Sequence, residues 1–272
     1  SPAWPCRPDA AGATALIDFG AGLTKAGWAE LDAQPRLVCP SELQRAKRNN
    51  ADIVLAGNAI AAEQAKAAPR RVFEDAQATD ARSLEDFCDY LFSELRTQPG
   101  DALAFTEPLG LSPRFREQCL ELFFECYGFE RVLPCVASIA ASFAAVTSFS
   151  APTALVVDIG HARTHVLPFL DSNLDTRAVR RLAAGVDAMK GALARLFALK
   201  YANFRGEFGP RALTSFFERE AWVAAEFAQQ MGLLQRVEYD ADVLRVFDEQ
   251  RRELVLRLPR PLPHLFEERA PS

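Results

Sequence analysis

The sequence predicts an α/β protein of two similar lobes with mixed sheets, and two observations carry that expectation. One is the order of its patterned segments: three strands, helix, strand, helix, strand, helix, then three strands and a helix again. The other is a repeated hairpin. Residues 16–28 and 155–165 each read as an apolar strand, an Asp-x-Gly turn and a return run, about 140 residues apart. Such a repeat suggests two lobes that each point a turn into a shared cleft.

Residues 1–13 are rich in Pro and Ala and are expected to be extended, without the charged-then-apolar pattern of a secretory signal. Residues 14–17 and 24–29 form the first hairpin, and 35–39 a third strand. Residues 41–52, made basic by Arg45, Lys47 and Arg48, read as a loop or mobile subdomain more than a core element. A short strand at 53–56 turns at Gly57-Asn58 into an Ala-rich helix at 59–67. Residues 83–95 place Leu84, Phe87, Cys88, Leu91, Phe92 and Leu95 at helical spacing, with Ser83 as the cap. A strand at 102–106 leads to a helix at 114–127 that starts behind Ser112-Pro113 and stops at Gly128. A strand at 132–136 and a small-residue helix at 137–146 close the first lobe, and 148–152 is the linker. The second lobe runs through strands 154–158, 164–170 and 178–182 and helices 188–199 and 212–231. A hairpin at 242–247 and 254–258 follows, and Pro259, Pro261 and Pro263 end regular structure.

The expected domains are therefore an extended segment 1–13, a first lobe 14–147 and a partial second lobe 148–272. The first holds a small mobile subdomain at about 40–70, the second an inserted helical subdomain at about 183–258.

At 49% apolar and 25% charged residues the composition is that of an ordinary globular chain. A net charge of −5 argues against a surface that binds nucleic acid as a whole, while leaving room for local basic patches. The six cysteines show no C-x-x-C spacing, so zinc or a disulfide framework is not expected, and reduced thiols in a cytosolic or nuclear compartment are. No apolar run reaches the ~18 residues of a membrane span.

In an Asp-x-Gly turn, Gly20, Gly22 and Gly160 let the backbone approach an anion, and the exposed N–H groups can bind phosphate oxygens. Asp18 and Asp158 are then placed to hold a hydrated metal ion between the lobes. The same residues also suit plain hairpins. The repetition is what favours a site.

Together these stretches resemble the actin superfamily, which implies duplicated ribonuclease-H-like lobes. Residues 16–28 are similar to its first phosphate loop and 155–168 to its second. Phe105-Thr106-Glu107-Pro108, then Arg116 and Glu121-Leu122-Phe123-Phe124-Glu125, resemble a first-lobe signature, and 181–187 sit where actins carry a Leu-Ala-Gly-Arg-Asp turn. The likeness covers about residues 14–260. Ala26-Gly27-Trp28 with Pro35-Arg36-Leu37, the run 122–128 and the run 164–170 resemble the nuclear actin-related branch. That branch implies a nuclear subunit of an ATP-dependent nucleosome remodeller, serving transcription regulation and DNA repair. It would pair with a small partner subunit, dock on the motor ATPase and contact nucleosomal DNA or histones.

The resemblance also assigns roles residue by residue. Asp18, Gly20, Gly22 and Lys25 match the first phosphate loop, while Ala21 replaces a hydroxyl residue and removes one phosphate contact. Lys25 reads either as a point charge for the β/γ-phosphates or as a solvated strand charge. Asp158 and Gly160 match the second loop, but His161 stands where actins carry an acidic residue, and Ala162 replaces a glycine. His161 beside Arg163 makes that loop basic, which suits a bare phosphate or no ligand better than Mg²⁺. His165 matches a histidine lining the γ-phosphate site and equally suits a hydrogen-bonded interior position. Glu218 matches a glutamate that contacts the nucleotide sugar, although the adjacent lysine is Phe217 here. The glutamine that orients attacking water falls at Ala137, whose methyl cannot orient it, and Ser138 is the polar neighbour.

The expected function is a non-catalytic interaction subunit with a degenerate ATPase site, taking ATP or ADP weakly if at all. The alternatives are a nucleotide-hydrolysing relative of actin or of sugar kinases, and a filament-forming cytoskeletal relative. Nothing after Met231 reads as the further strand–helix–strand–helix return of an actin-type second lobe. The sheet at 154–158 is therefore expected to keep an uncovered edge and an unburied apolar face, and the chain alone to be unstable.

Overall fold

The computed structural model describes residues 12–29, 34–48, 51–62, 69–74, 77–78, 80–107, 109–110, 113–146, 153–171, 173–200, 210–221, 240–247 and 253–260. Contacts divide the chain into two compact units, Ser1–Met189 and Lys190–Ser272.

The first unit opens with antiparallel strands β1 (Thr14–Asp18), β2 (Leu23–Trp28) and β3 (Leu37–Pro40). Strands β4 (Glu42–Arg48), β5 (Ala51–Ala56) and β6 (Arg70–Arg71) form a small side sheet in the order β5-β4-β6, with the short helix α1 (Ala59–Ala62) after β5. Strands β7 (Phe73–Glu74) and β8 (Gln77–Ala78) pair with each other ahead of helix α2 (Ala81–Leu95). Then come β9 (Ala102–Glu107), α3 (Pro113–Glu121), a π-helical turn at Leu122–Cys126, β10 (Arg131–Val136) and α4 (Ala137–Val146). Strand β9 runs parallel to β1, and β10 parallel to β9, giving a mixed sheet in the order β10-β9-β1-β2-β3.

A second sheet pairs β11 (Ala154–Ile159) with β12 (Thr164–Leu170), which also pairs with β13 (Asn173–Leu174) and β14 (Arg180–Leu182). Helix α5 (Val186–Lys200) follows. The second unit holds α6 (Pro210–Glu220) and the antiparallel strands β15 (Asp240–Phe247) and β16 (Glu253–Arg260). The predicted class, α/β with mixed sheets, is the one observed.

The period-2 pattern decides which face of the first sheet is buried. Ala15 and Ile17 face inward while Leu16 is exposed, and Leu103 and Phe105 of β9 join the inner face. Against it pack Leu84, Phe87 and Leu91 of α2 and Phe115 and Cys119 of α3, all part of one core cluster. Phe105 and Phe123 meet edge to face at 5.2 Å, in the range where aromatic pairs add to simple burial. Burying each such side chain contributes about 1.5–3 kcal/mol, so this core is what holds β1 and its turn in place.

Several boundaries differ from expectation for local reasons. Helix α2 starts two residues earlier because Asp80, in extended conformation, accepts from Ser83 N–H at 2.7 Å and from the Ser83 hydroxyl at 2.8 Å. The cap is the carboxylate, and Ser83 is its donor. The 41–52 stretch, expected as a loop, is largely strand β4 with Ser41, Leu43 and Gln44 buried, because it pairs along the apolar run of β5. Helix 114–127 gains an extra residue per turn at its end, where Tyr127 N–H bonds Leu122 carbonyl; Phe123 is thereby buried and Phe124 exposed. The predicted helix end at 63–67, the linker 148–152, the stretch to Met231 and the segment 1–11 lie outside the described residues.

In the second sheet Leu167 and Phe169 are buried, whereas Leu155, Val157 and Ile159 are 64%, 53% and 62% exposed on the opposite face.

Candidate functional site

Two turns of the first unit carry the predicted residues apart from Glu218. Strand β1 ends at Asp18, and the chain passes over Gly20, Ala21 and Gly22 into β2. Ser41 braces this turn: its hydroxyl donates to Gly20 carbonyl at 2.6 Å and its N–H to Gly22 carbonyl at 3.1 Å, with Thr24 Oγ1 at 2.8 Å from Ser41 Oγ. Asp18 Oδ1 accepts from Thr106 Oγ1 at 2.7 Å, and Thr106 accepts in turn from Phe19 N–H at 3.0 Å. Lys25 sits opposite Asp18 in the ladder, with Nζ 3.5 Å from Asp18 Oδ2. Both side chains are about half exposed, so this pair adds little stability, and the lysine charge stays at the rim.

The second turn repeats the arrangement. Strand β11 carries Asp158, whose Oδ2 accepts from Ser138 Oγ at 2.7 Å, and Ser138 is buried at the start of α4. Each strand-end aspartate is thus held by a hydroxyl from the neighbouring element. Gly160 N–H bonds Arg163 carbonyl at 2.9 Å and closes the turn. Val186 and Asp187, opening α5, donate their N–H groups to the carbonyls of Gly160 and His161 at 3.2 and 2.9 Å. This approach needs a glycine at 185, where a Cβ would lie 2.5 Å from His161 carbonyl.

His161 is where the two turns meet. Its Nε2 lies 3.0 Å from Asp187 Oδ1, and its ring lies against Gly22: a Cβ there would fall 2.5 Å from Nδ1. Arg71 of β6 grips the same carboxylate with both guanidinium nitrogens, Nη2 to Oδ1 at 2.7 Å and Nη1 to Oδ2. That bond and the carboxylate charge hold the Arg71 pKa above its ordinary value, outweighing partial burial.

His165 is 8% exposed on β12, opposite Asp158 on one side and Arg181 on the other. Its Nε2 is buried with no hydrogen-bond partner. Burial pushes its pKa below 6.5; Asp158 opposes the shift, and Arg181 and Arg163 reinforce it.

Of the predicted residues, Asp18, Gly20, Ala21, Gly22 and Lys25 form the first turn and Asp158, Gly160 and His161 belong to the second, the two brought into contact by His161 on Gly22. Glu218 is in the second unit, exposed on α6. Sequence reasoning passed over Ser41, Arg71, Thr106 and Asp187 as parts of this site. Thr106 and Asp187 lie within stretches quoted for their family likeness. Ser41 and Arg71 carry no such signal, because only the tertiary fold gives them partners.

Several groups of the two turns are already engaged with one another. Both aspartates already hold a hydroxyl, Asp18 also faces Lys25, and an imidazole fills the space over Gly22. Among the described residues there is no group of three or more His, Cys, Asp or Glu able to hold a metal ion.

A family model described as Actin matches residues 10–214. The chain is 24% identical over 227 residues to actin-related protein 5 of Homo sapiens, covering 79% of this chain and 37% of that one. It is also 24% identical over 220 residues to actin-related protein 5 of Drosophila melanogaster, covering 76% and 33%. With actin-related protein 2 of Schizosaccharomyces pombe the identity is 30% over 198 residues, covering 69% and 50%. The chain spans about a third to a half of the length of these relatives.

Proposed function

The chain belongs to the actin family, and from that premise we propose that it is a non-catalytic actin-fold subunit of a nuclear, ATP-dependent chromatin-remodelling assembly. The remodelling part of this reading is supported by its likeness to the actin-related proteins 5 of several species. The non-catalytic part rests on one observation above the others: His161, where an actin-type site needs an acidic metal-side residue, lies on Gly22 and pairs with Asp187. Ala137 adds to it, since a methyl leaves attacking water unoriented. The subunit then works through its surfaces. It docks on the motor ATPase, pairs with a small partner subunit and touches nucleosomal DNA or histones.

The test is co-assembly. The chain mixed with a purified remodelling ATPase and its small partner subunit elutes as one complex and raises that complex's affinity for nucleosomes. A chain that elutes alone in that mixture overturns the reading.

A second reading, a nucleotide-binding actin-like ATPase, is favoured by the buried, unpartnered Nε2 of His165, a group suited to a polar ligand.

A further inference from the structure

The geometry points to a built-in occlusion: His161, clamped by Asp187 and Arg71, fills the gap between the two turns and keeps phosphate out. Two other segments converge on the carboxylate of Asp187. Arg71 comes from the side sheet, His161 from the second turn and Asp187 from the first turn of α5. The guanidinium takes both oxygens of Asp187, so the carboxylate is fixed in direction as well as charge. Asp187 Oδ1 in turn faces His161 Nε2 at 3.0 Å, which orients the imidazole. The other side of the ring meets the first turn, where a Cβ on Gly22 would approach Nδ1 to 2.5 Å and Cγ to 2.6 Å. The backbone under His161 is tied down too, because Asp187 N–H holds its carbonyl at 2.9 Å.

A phosphate chain approaching the first turn on the side of Gly22 where a Cβ would stand meets this ring, whose Nδ1 and Cγ lie 2.5 and 2.6 Å from that point. Binding therefore requires His161 to leave both Gly22 and Asp187. The fraction of molecules with the ring displaced sets the apparent affinity, so a preformed cradle of glycines still binds weakly. This inference rests on the proposed reading of the cleft and goes further, naming the side chain that shuts it.

The experiment measures Mg·ATP binding by titration calorimetry on the full 272-residue chain. Removing the plug with His161→Gly should tighten binding by about tenfold or more, because the competent fraction rises toward one. Asp187→Asn, which loosens the clamp and keeps the ring, should give a smaller gain. A separate readout needs no nucleotide. Gly22→Ala should lower the melting temperature of the native chain, whose ring obstructs the added methyl, and be tolerated in the His161→Gly background. Unchanged Mg·ATP affinity in both single variants, or equal cost of Gly22→Ala in the two backgrounds, overturns the inference. Neither result depends on whether ATP is hydrolysed, so failure of the occlusion is separable from failure of the non-catalytic reading.

Discussion

Ser138 Oγ donates to Asp158 Oδ2 at 2.7 Å, and Thr106 Oγ1 donates to Asp18 Oδ1 at the same distance, so the two turns are braced by matching hydroxyl–carboxylate bonds. Ser138 is buried, and its removal leaves a partly buried carboxylate short of one donor. Ser138→Ala should cost about 1–3 kcal/mol, the usual penalty for a polar group robbed of its partner. Thermal melting checks it: a melting temperature unchanged from the native chain contradicts a bracing role, and Ser138→Thr should recover part of the loss.

This pair also marks how far the sequence was legible. Asp18 and Asp158 stand out because strand, turn and glycine pattern recur around them, and the α/β class with mixed sheets follows from the order of the patterned segments. That Thr106 and Ser138 bond them does not stand out. A serine that opens an Ala-rich helix looks like any other serine until α4 is placed beside β11. Arg71 and Asp187 are 116 positions apart, and only the tertiary fold pairs them. The strand at 42–48 is obscured for a different cause: Arg45, Lys47 and Arg48 leave its sequence little apolar signal, although Leu43 and Gln44 are buried.

Glu107 and Arg116 supply a second stability test. The carboxylate is 3% exposed and paired with a guanidinium that is 51% exposed. Arg116→Ala strands a buried charge and should cost about 1–3 kcal/mol, less than for a fully buried pair because one partner is wet. Arg116→Lys should rescue only partly, as it cannot form the two-pronged contact. Denaturant midpoints for the three chains decide the point, and equal midpoints would remove Glu107 from the core of the account.

His165 makes stability depend on pH in a defined direction. Its folded pKa lies below 6.5, chiefly through burial, so the unfolded chain binds more protons once the pH falls beneath that value. Stability from the buried neutral ring is therefore complete above pH 6.5 and is lost as the pH drops from 6.5 through the lowered folded value. His165→Gln removes this contribution. Melting at pH 7.5 and 5.5 should show a larger acid-side loss for the native chain than for the variant. An equal loss in both would mean that the ring is solvated in solution.

Restoring a single catalytic group should not restore catalysis. Ala137→Gln supplies the amide that orients water, yet leaves His161 in the second turn and no acidic metal-side residue. Orientation and charge stabilisation each contribute on the order of 10²-fold or more, so one without the other stays below detection. Phosphate release by the variant should match that of the native chain. A clear rise would place the whole defect at position 137.

The most direct test of the central claim is steady-state ATP turnover by the purified 272-residue chain with Mg²⁺. With His161 on Gly22 and a methyl at position 137, turnover should equal the protein-free control. Turnover at the rate of an ordinary actin, abolished by Asp158→Asn, would contradict the non-catalytic account.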